Sequence, residues 1–227
     1  MRAVRFFAIP HVAVIAWSCL ALSVVGCVHS SFGGSSRGYD EQACVERALR
    51  RSPEPSTVQQ ARVAFEGECA GGGPEACSAL GVMNEVGVGV PVDRARAATL
   101  YERACRAGNV RGCANLGVAR VEGMGGRDVP IGAQLLELAC DRGDARGCMN
   151  LARLHSSGQG VARDPALAAR LFGFACDHEE ESACVALAQG YEDAAETAKA
   201  LDLYRKACAL GEATACAHEG SSLVSLR

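Results

Sequence analysis

The sequence predicts an all-α fold, an α/α solenoid (superhelix) of disulfide-stapled helical hairpins. Three observations carry that expectation. Ten of the thirteen cysteines form five pairs at one spacing, Cys69/Cys77, Cys105/Cys113, Cys140/Cys148, Cys176/Cys184 and Cys208/Cys216, each enclosing seven residues. The first members recur after 36, 35, 36 and 32 residues, which means a unit has been copied. Apolar residues make up 49% of the 227-residue chain but aromatics only 5%, with alanine and glycine carrying much of the apolar share. Such a composition suits closely packed helices better than a large sheet.

The first element, 1–26, reads as a lipoprotein signal peptide. Arg2 and Arg5 form a basic start, and an apolar stretch runs from Phe6 to Val25, interrupted by Pro10. Val24-Val25-Gly26-Cys27 resembles a bacterial lipobox, so Cys27 is expected to be acylated and to become the first mature residue. An uncleaved membrane helix and an ordinary cleaved signal are the competing readings. Residues 27–39 are rich in glycine and serine and read as a flexible tether. The expected location is therefore the cell envelope, by lipid anchor, or the exterior if Cys27 carries no lipid. Val28 is not the aspartate that resembles an inner-membrane retention signal.

Residues 40–220 read as the solenoid. A degenerate first unit spans 40–72, units follow at about 73–110, 111–145, 146–181 and 182–213, a capping helix closes at about 214–220, and 221–227 is a tail. Within each unit a first helix begins near the second cysteine. Leu80-Gly81, Leu116-Gly117, Leu151-Ala152 and Leu187-Ala188 follow it by three and four residues and share its face. Glycine-rich turns at Gly87–Val90, Gly123–Gly126 and Gly158–Val161 end these helices. Asp93, Asp128 and Asp164 are placed to cap the second helices. Each second helix carries a small residue eight before its cysteine, such as Ala97, and a bulky one four before it, such as Tyr101. The unit from Cys184 to Cys208 lacks the Gly-x-Gly turn and should join its helices more tightly.

The paired cysteines then bracket the turn between one hairpin and the next, where a disulfide closes a short loop. A rival scheme joins Cys77 to Cys105, Cys113 to Cys140 and so on, and uses Cys44 with Cys69. The constant interval favours the first scheme, because a staple needs fixed geometry. That scheme leaves Cys44 as a possible free thiol, able to link two molecules, or as part of a buried first helix.

The unit with Leu-Gly, Gly-x-Gly-Val, Asp, Ala, Leu-Tyr and Ala-Cys resembles the Sel-one-like repeat, a relative of the tetratricopeptide repeat. Its clearest copy runs from Ala76 to Gly117. The cysteine spacing is similar to that of the secreted branch known from the Helicobacter cysteine-rich proteins. The resemblance implies a superhelix of αα hairpins and an adaptor role for other proteins. It also implies an alternative, β-lactam binding or weak β-lactamase activity. The chain departs from the family at a column usually occupied by tyrosine, which here reads Asn84, Arg120, His155 and Tyr191.

Several chemistries lack their residues. The only lysines are Lys199 and Lys206, and neither completes Ser-x-x-Lys. The five histidines are scattered without a metal signature, so no cofactor or metal is expected. The formal net charge of -3 and the lack of a basic stripe argue against nucleic acid. The acidic run Asp177–Glu181 reads as a solvated turn. What remains is binding. Helical geometry turns Ala79, Val82, Asn115, Val118, Asn150, Arg153, Ala186 and Gln189 away from the packed face. Asn115, Asn150 and Arg153 suit a peptide backbone or carboxylate, and Arg120 and His155 are candidates for the groove's border. The alternative for these five is local backbone bonding or exposure to water. The sequence thus points to a non-enzymatic, envelope-anchored scaffold for a protein or peptide, with a purely structural surface module as a further alternative.

Overall fold

The computed structural model describes residues 55–218. The signal peptide, Cys27, the tether, Cys44 and the 221–227 tail lie outside them. The described residues form nine helices: α1 Pro55–Ala70, α2 Pro74–Val86, α3 Arg94–Arg106, α4 Val110–Glu122, α5 Val129–Asp141, α6 Ala145–Ser157, α7 Pro165–Asp177, α8 Glu181–Asp193 and α9 Thr197–Leu210. A last helical stretch covers 213–218. No strand occurs among the described residues.

The hairpins are α2/α3, α4/α5, α6/α7 and α8/α9, which make the most extensive helix contacts. The second helix of each hairpin also packs on the first helix of the next. First helices touch one another as well, α2 with α4 and α4 with α6, and no pair of second helices packs to that extent. First helices therefore line the inside of the curve and second helices its outside.

Local chemistry explains the elements. Asp93, Asp128 and Asp164 accept from the amides of Arg96, Ile131 and Leu167, capping α3, α5 and α7. Such caps stabilise a helix by about 1 kcal/mol each. Gly87, Gly123 and Gly158 end α2, α4 and α6 in the left-handed region. The last hairpin joins in three residues, 194–196, against the six or seven of the others. Its turn uses Ala195 at φ 59° where the others use glycine.

The disulfides link Cys69 to Cys77, Cys105 to Cys113, Cys140 to Cys148, Cys176 to Cys184 and Cys208 to Cys216. Each crosses from the end of a second helix to the start of the next helix. The staples therefore join successive hairpins and do not lie within them. Five disulfides in a chain of this length fit an oxidising compartment outside the cytoplasm.

The core is a row of interlocked small and large residues. Tyr101, Leu136, Phe172 and Tyr204 are buried on α3, α5, α7 and α9. A methyl at Gly81 would meet the Tyr101 ring at 2.3 Å, and one at Gly117 would meet Leu136 at 2.8 Å. The Leu-Gly column thus leaves room for the bulky residue of the partner helix. Two of these bulky residues are tyrosines, and both have a carboxylate waiting. Tyr101 donates to Glu85 at 2.5 Å and Tyr204 to Glu192 at 2.8 Å. Leu136 and Phe172 need no acceptor, and the columns that hold Glu85 and Glu192 carry Val121 and Ser156 there.

One expectation fails at Val82. Helical geometry alone turns it outward, but it is 5% exposed, packed in one cluster with Tyr101, Leu116 and Met124. The next hairpin covers it. Isolated-helix geometry cannot foresee a neighbour stacked on that side.

Candidate functional site: the groove between the inner helices

A groove of about 640 Å³ lies between α4 and α6 on the inner layer. Val118 and Val121 of α4, Leu136 of α5 and Leu154 of α6 give it an apolar lining. Its polar groups are Glu122, Arg127, Asn150, Arg153, Ser157 and Gln159. Asn150, Arg153, Leu154 and Ser157 fall on one side of α6 because they recur at helical spacing. Arg127 comes from the turn between α4 and α5.

Seven arginines elsewhere are already engaged, unlike the two here. Arg62, Arg96, Arg106, Arg111, Arg120, Arg146 and Arg205 all stand beside carboxylates. Among the described residues no carboxylate or carbonyl bonds the guanidinium of Arg127 or Arg153. Both are exposed. A guanidinium without an internal partner keeps its planar set of donors for a ligand carboxylate.

The five sequence candidates separate. Asn150 and Arg153 line the groove. Asn150 spends one amide hydrogen on the Arg146 carbonyl at 2.9 Å, within its own helix. Asn115 is half-buried, and its amide donates to Ser78 Oγ at 3.4 Å, across from α4 to α2. Arg120 and His155 point at the connecting turns. Arg120 donates to the Gly125 carbonyl at 3.4 Å and stands 3.8 Å from Glu102. His155 Nδ1 lies 3.1 Å from the Ala162 carbonyl. The backbone makes the reason plain. Carbonyls of Asn84, Arg120, His155 and Tyr191 accept from the amides of Asp93, Asp128, Asp164 and Glu196. The column that departs from tyrosine is where each turn docks onto its first helix.

The sequence reading missed a polar ladder at the starts of the inner helices. Asn109 donates to Glu75 at 3.4 Å, Arg111 stands 3.8 Å from Asp144, and Arg146 stands 3.9 Å from Glu180. Each rung joins a residue of one hairpin to the first-helix cap position of the next. The signal was present in the sequence: Arg111 and Arg146 both lie two residues before a second cysteine. Burial pulls the Arg111 guanidinium below the ordinary arginine value, with Asp144 opposing. Burial also raises the Glu180 carboxyl, with Arg146 opposing. The acidic run is therefore only partly solvated. Asp177 and Glu179 are exposed, with Asp177 bonded to Lys206 at 2.7 Å, while Glu180 turns inward to the ladder. Both lysines end on carboxylates, Lys199 on Glu196 and Lys206 on Asp177.

Among the described residues there is no group of three or more histidines, cysteines or acids placed to hold a metal ion. No helix among them is long and apolar enough to cross a membrane.

Comparison with known proteins agrees with this architecture. The Sel1 repeat family model matches residues 74–109, 110–144, 145–179 and 182–212. These four matches coincide with the four hairpins. Among solved structures, a Sel1 repeat protein from Oxalobacter formigenes is similar at 23% identity and a TM-score of 0.66, covering 78% of this chain and 74% of that one. The protein c5321, a protective antigen present in uropathogenic Escherichia coli strains and displaying an SLR fold, is 23% identical with a TM-score of 0.57, covering 90% of this chain and 49% of that one. Helicobacter pylori cysteine rich protein B also aligns, at 23% identity over 58% of this chain and 95% of its own, with a TM-score of 0.44. No curated protein matches by sequence. The chain belongs to the Sel1 repeat family, whose repeats are scaffolds for protein–protein contact.

Proposed function

We propose that this Sel1 repeat protein is an exported scaffold, anchored in the cell envelope by acylated Cys27, that holds a peptide segment of a partner protein in the groove between α4 and α6. One observation carries the reading. Two guanidiniums without internal partners, Arg127 and Arg153, border an apolar lining formed by Val118, Leu136 and Leu154. That combination suits a peptide offering a carboxylate beside an apolar side chain. Asn150 adds an amide for the peptide backbone. The five staples support an oxidising compartment, and the sequence around Cys27 supports a lipid anchor on a tether.

The test of the groove uses the mature protein and immobilised peptides that pair one apolar residue with either a carboxylate or its amide. Carboxylate peptides are expected to bind, and loss of one charge-assisted contact through Arg153→Ala should weaken them by roughly tenfold or more. Equal binding of acid and amide peptides, or no loss in Arg153→Ala and Arg127→Ala, refutes the reading. For the anchor, Cys27→Ser should abolish metabolic palmitate labelling of the full chain. Unchanged labelling refutes lipidation at Cys27.

A further inference from the structure

The five staples are not equally covered. Cys69 and Cys77 are both 2% exposed, Cys113, Cys148 and Cys176 are 1%, and Cys184 is 0%. Cys105, Cys140 and Cys208 are half-buried. Cys216 alone among these ten is exposed.

The fold explains the difference. Cys77, Cys113, Cys148 and Cys184 each open an inner helix that has its own hairpin partner packed upon it. Cys216 sits on the 213–218 stretch, over which no further hairpin packs among the described residues. The opposite end of the array is not equivalent. Cys69 is covered, and Arg103 Nη2 of α3 reaches back to donate to its carbonyl at 2.8 Å. The contacts that hold the 213–218 stretch besides its staple include two to the last hairpin. Ala215 is fully buried in the last core cluster, and the His218 ring stacks on Tyr204 at 4.6 Å.

We propose that Cys208–Cys216 is a thiol-exchange site, taking a low-molecular-weight thiol at the Cys216 sulfur, and that exchange there releases 213–218 from α9. In the first step the thiolate RS⁻ attacks Cys216 Sγ. A new S–S bond forms between them as the Cys208–Cys216 bond breaks. The electron pair leaves on Cys208 Sγ, which takes a proton from solvent. The product is a mixed disulfide on Cys216 and a thiol on Cys208. A second thiolate attacks the sulfur of the added group, giving the small disulfide RSSR and the reduced Cys216. Two electrons pass from two thiols into the pair, and an oxidising compartment reverses the balance. Attack falls on Cys216 because exchange follows access, and Cys208 is sheltered in the last turn of α9. Each of the other four pairs keeps at least one cysteine buried in the stack, so the array itself survives the opening.

Release has its own signature. Burial first, and then the bond to Glu192, push the Tyr204 phenol up to about 12. Losing the segment stacked over that ring should lower the ionisation toward the ordinary value of 10.0.

The experiment treats the native mature protein with reduced glutathione, traps free thiols with iodoacetamide at intervals, and maps the peptides by mass. Glutathione on Cys216 and carbamidomethyl on Cys208 should appear about tenfold or more ahead of modification at the eight remaining staple cysteines. Helical circular dichroism should stay near its starting value at that stage, while tyrosine titration shifts downward. Simultaneous opening of all five pairs, earlier opening of another pair, or glutathione attached to Cys208 overturns the proposal. An unshifted Tyr204 titration after opening overturns the release of 213–218.

Discussion

Replacing glycine by alanine at two helical positions of this protein should change stability in opposite directions. At Gly81, in α2, an added methyl would lie 2.3 Å from Tyr101 Cε1 and 2.6 Å from Cδ1. The ring has nowhere to retreat, being 1% exposed with its hydroxyl held by Glu85. At Gly190, in α8, the same methyl meets nothing within 4 Å. Alanine gains about 0.5–1 kcal/mol over glycine inside a helix. Overpacking a core costs about 1–3 kcal/mol. Gly81→Ala should therefore lose about 1–2 kcal/mol net, and Gly190→Ala should gain about 0.5–1 kcal/mol. The chain itself holds Ala152 and Ala188 at the register of Gly81, opposite Phe172 and Tyr204. The cost at Gly81 is thus a re-spacing of α2 and α3, which sets it near the middle of the overpacking range, about 2–2.5 kcal/mol before the helical gain is subtracted. Urea unfolding with disulfides intact measures both, and a midpoint shift of about 0.5–1 M is expected for Gly81→Ala at an unchanged slope. Midpoints that move in the same direction refute the packing argument.

Other expectations follow from single residues. Glu179 holds φ 66° in a column where Gly72, Gly108, Gly143 and Gly211 stand, so Glu179→Gly should raise stability by about 1 kcal/mol in the same urea assay, and a lower midpoint contradicts this. Burial raises the Glu180 carboxyl above its unfolded value of 4.5, so the folded state holds that proton more tightly. Stability is then lost as pH rises from 4.5 through the raised value, and the midpoint of Glu180→Gln should gain on the natural protein between pH 4 and pH 7. A constant gap between the two refutes it. Removing the Cys140–Cys148 staple as a double alanine variant should cost about 2–3 kcal/mol on the loop-entropy account, read as a fall in thermal midpoint, and an unchanged midpoint assigns the staple no stabilising role.

The repeat was legible because its constraints are local and periodic. A cysteine eight residues from its partner, an aspartate ahead of a second helix and a glycine behind a first one each act within a single turn. Their columns line up without any knowledge of neighbours. The tighter last hairpin was legible for the same reason, since the missing Gly-x-Gly leaves three residues to turn the chain. Contacts between hairpins were harder to read. Val82 vanished beneath the next hairpin, and Asn115 turned to Ser78 of the previous one. Arg111 and Arg146 gave a visible column, but a pairing needs the stacking distance, which the sequence does not state. Arg120 and His155 went to the turns because backbone carbonyls at that column were already committed to docking them. Arg127 escaped notice because it sits in a turn, where helical geometry says nothing about direction.

Every staple spans eight positions of sequence and joins the end of one hairpin to the beginning of the next. Oxidation therefore needs no distant segment to arrive first. Each bond can close as soon as its own turn has emerged, in the order of synthesis, with no reshuffling of earlier bonds. The same locality bears on the length of the array. A gene duplication or deletion of one whole period, wherever its breakpoints fall in the unit, carries along cysteines in matched number and restores the same interval. This lineage can lengthen or shorten its binding surface without ever creating a stray thiol.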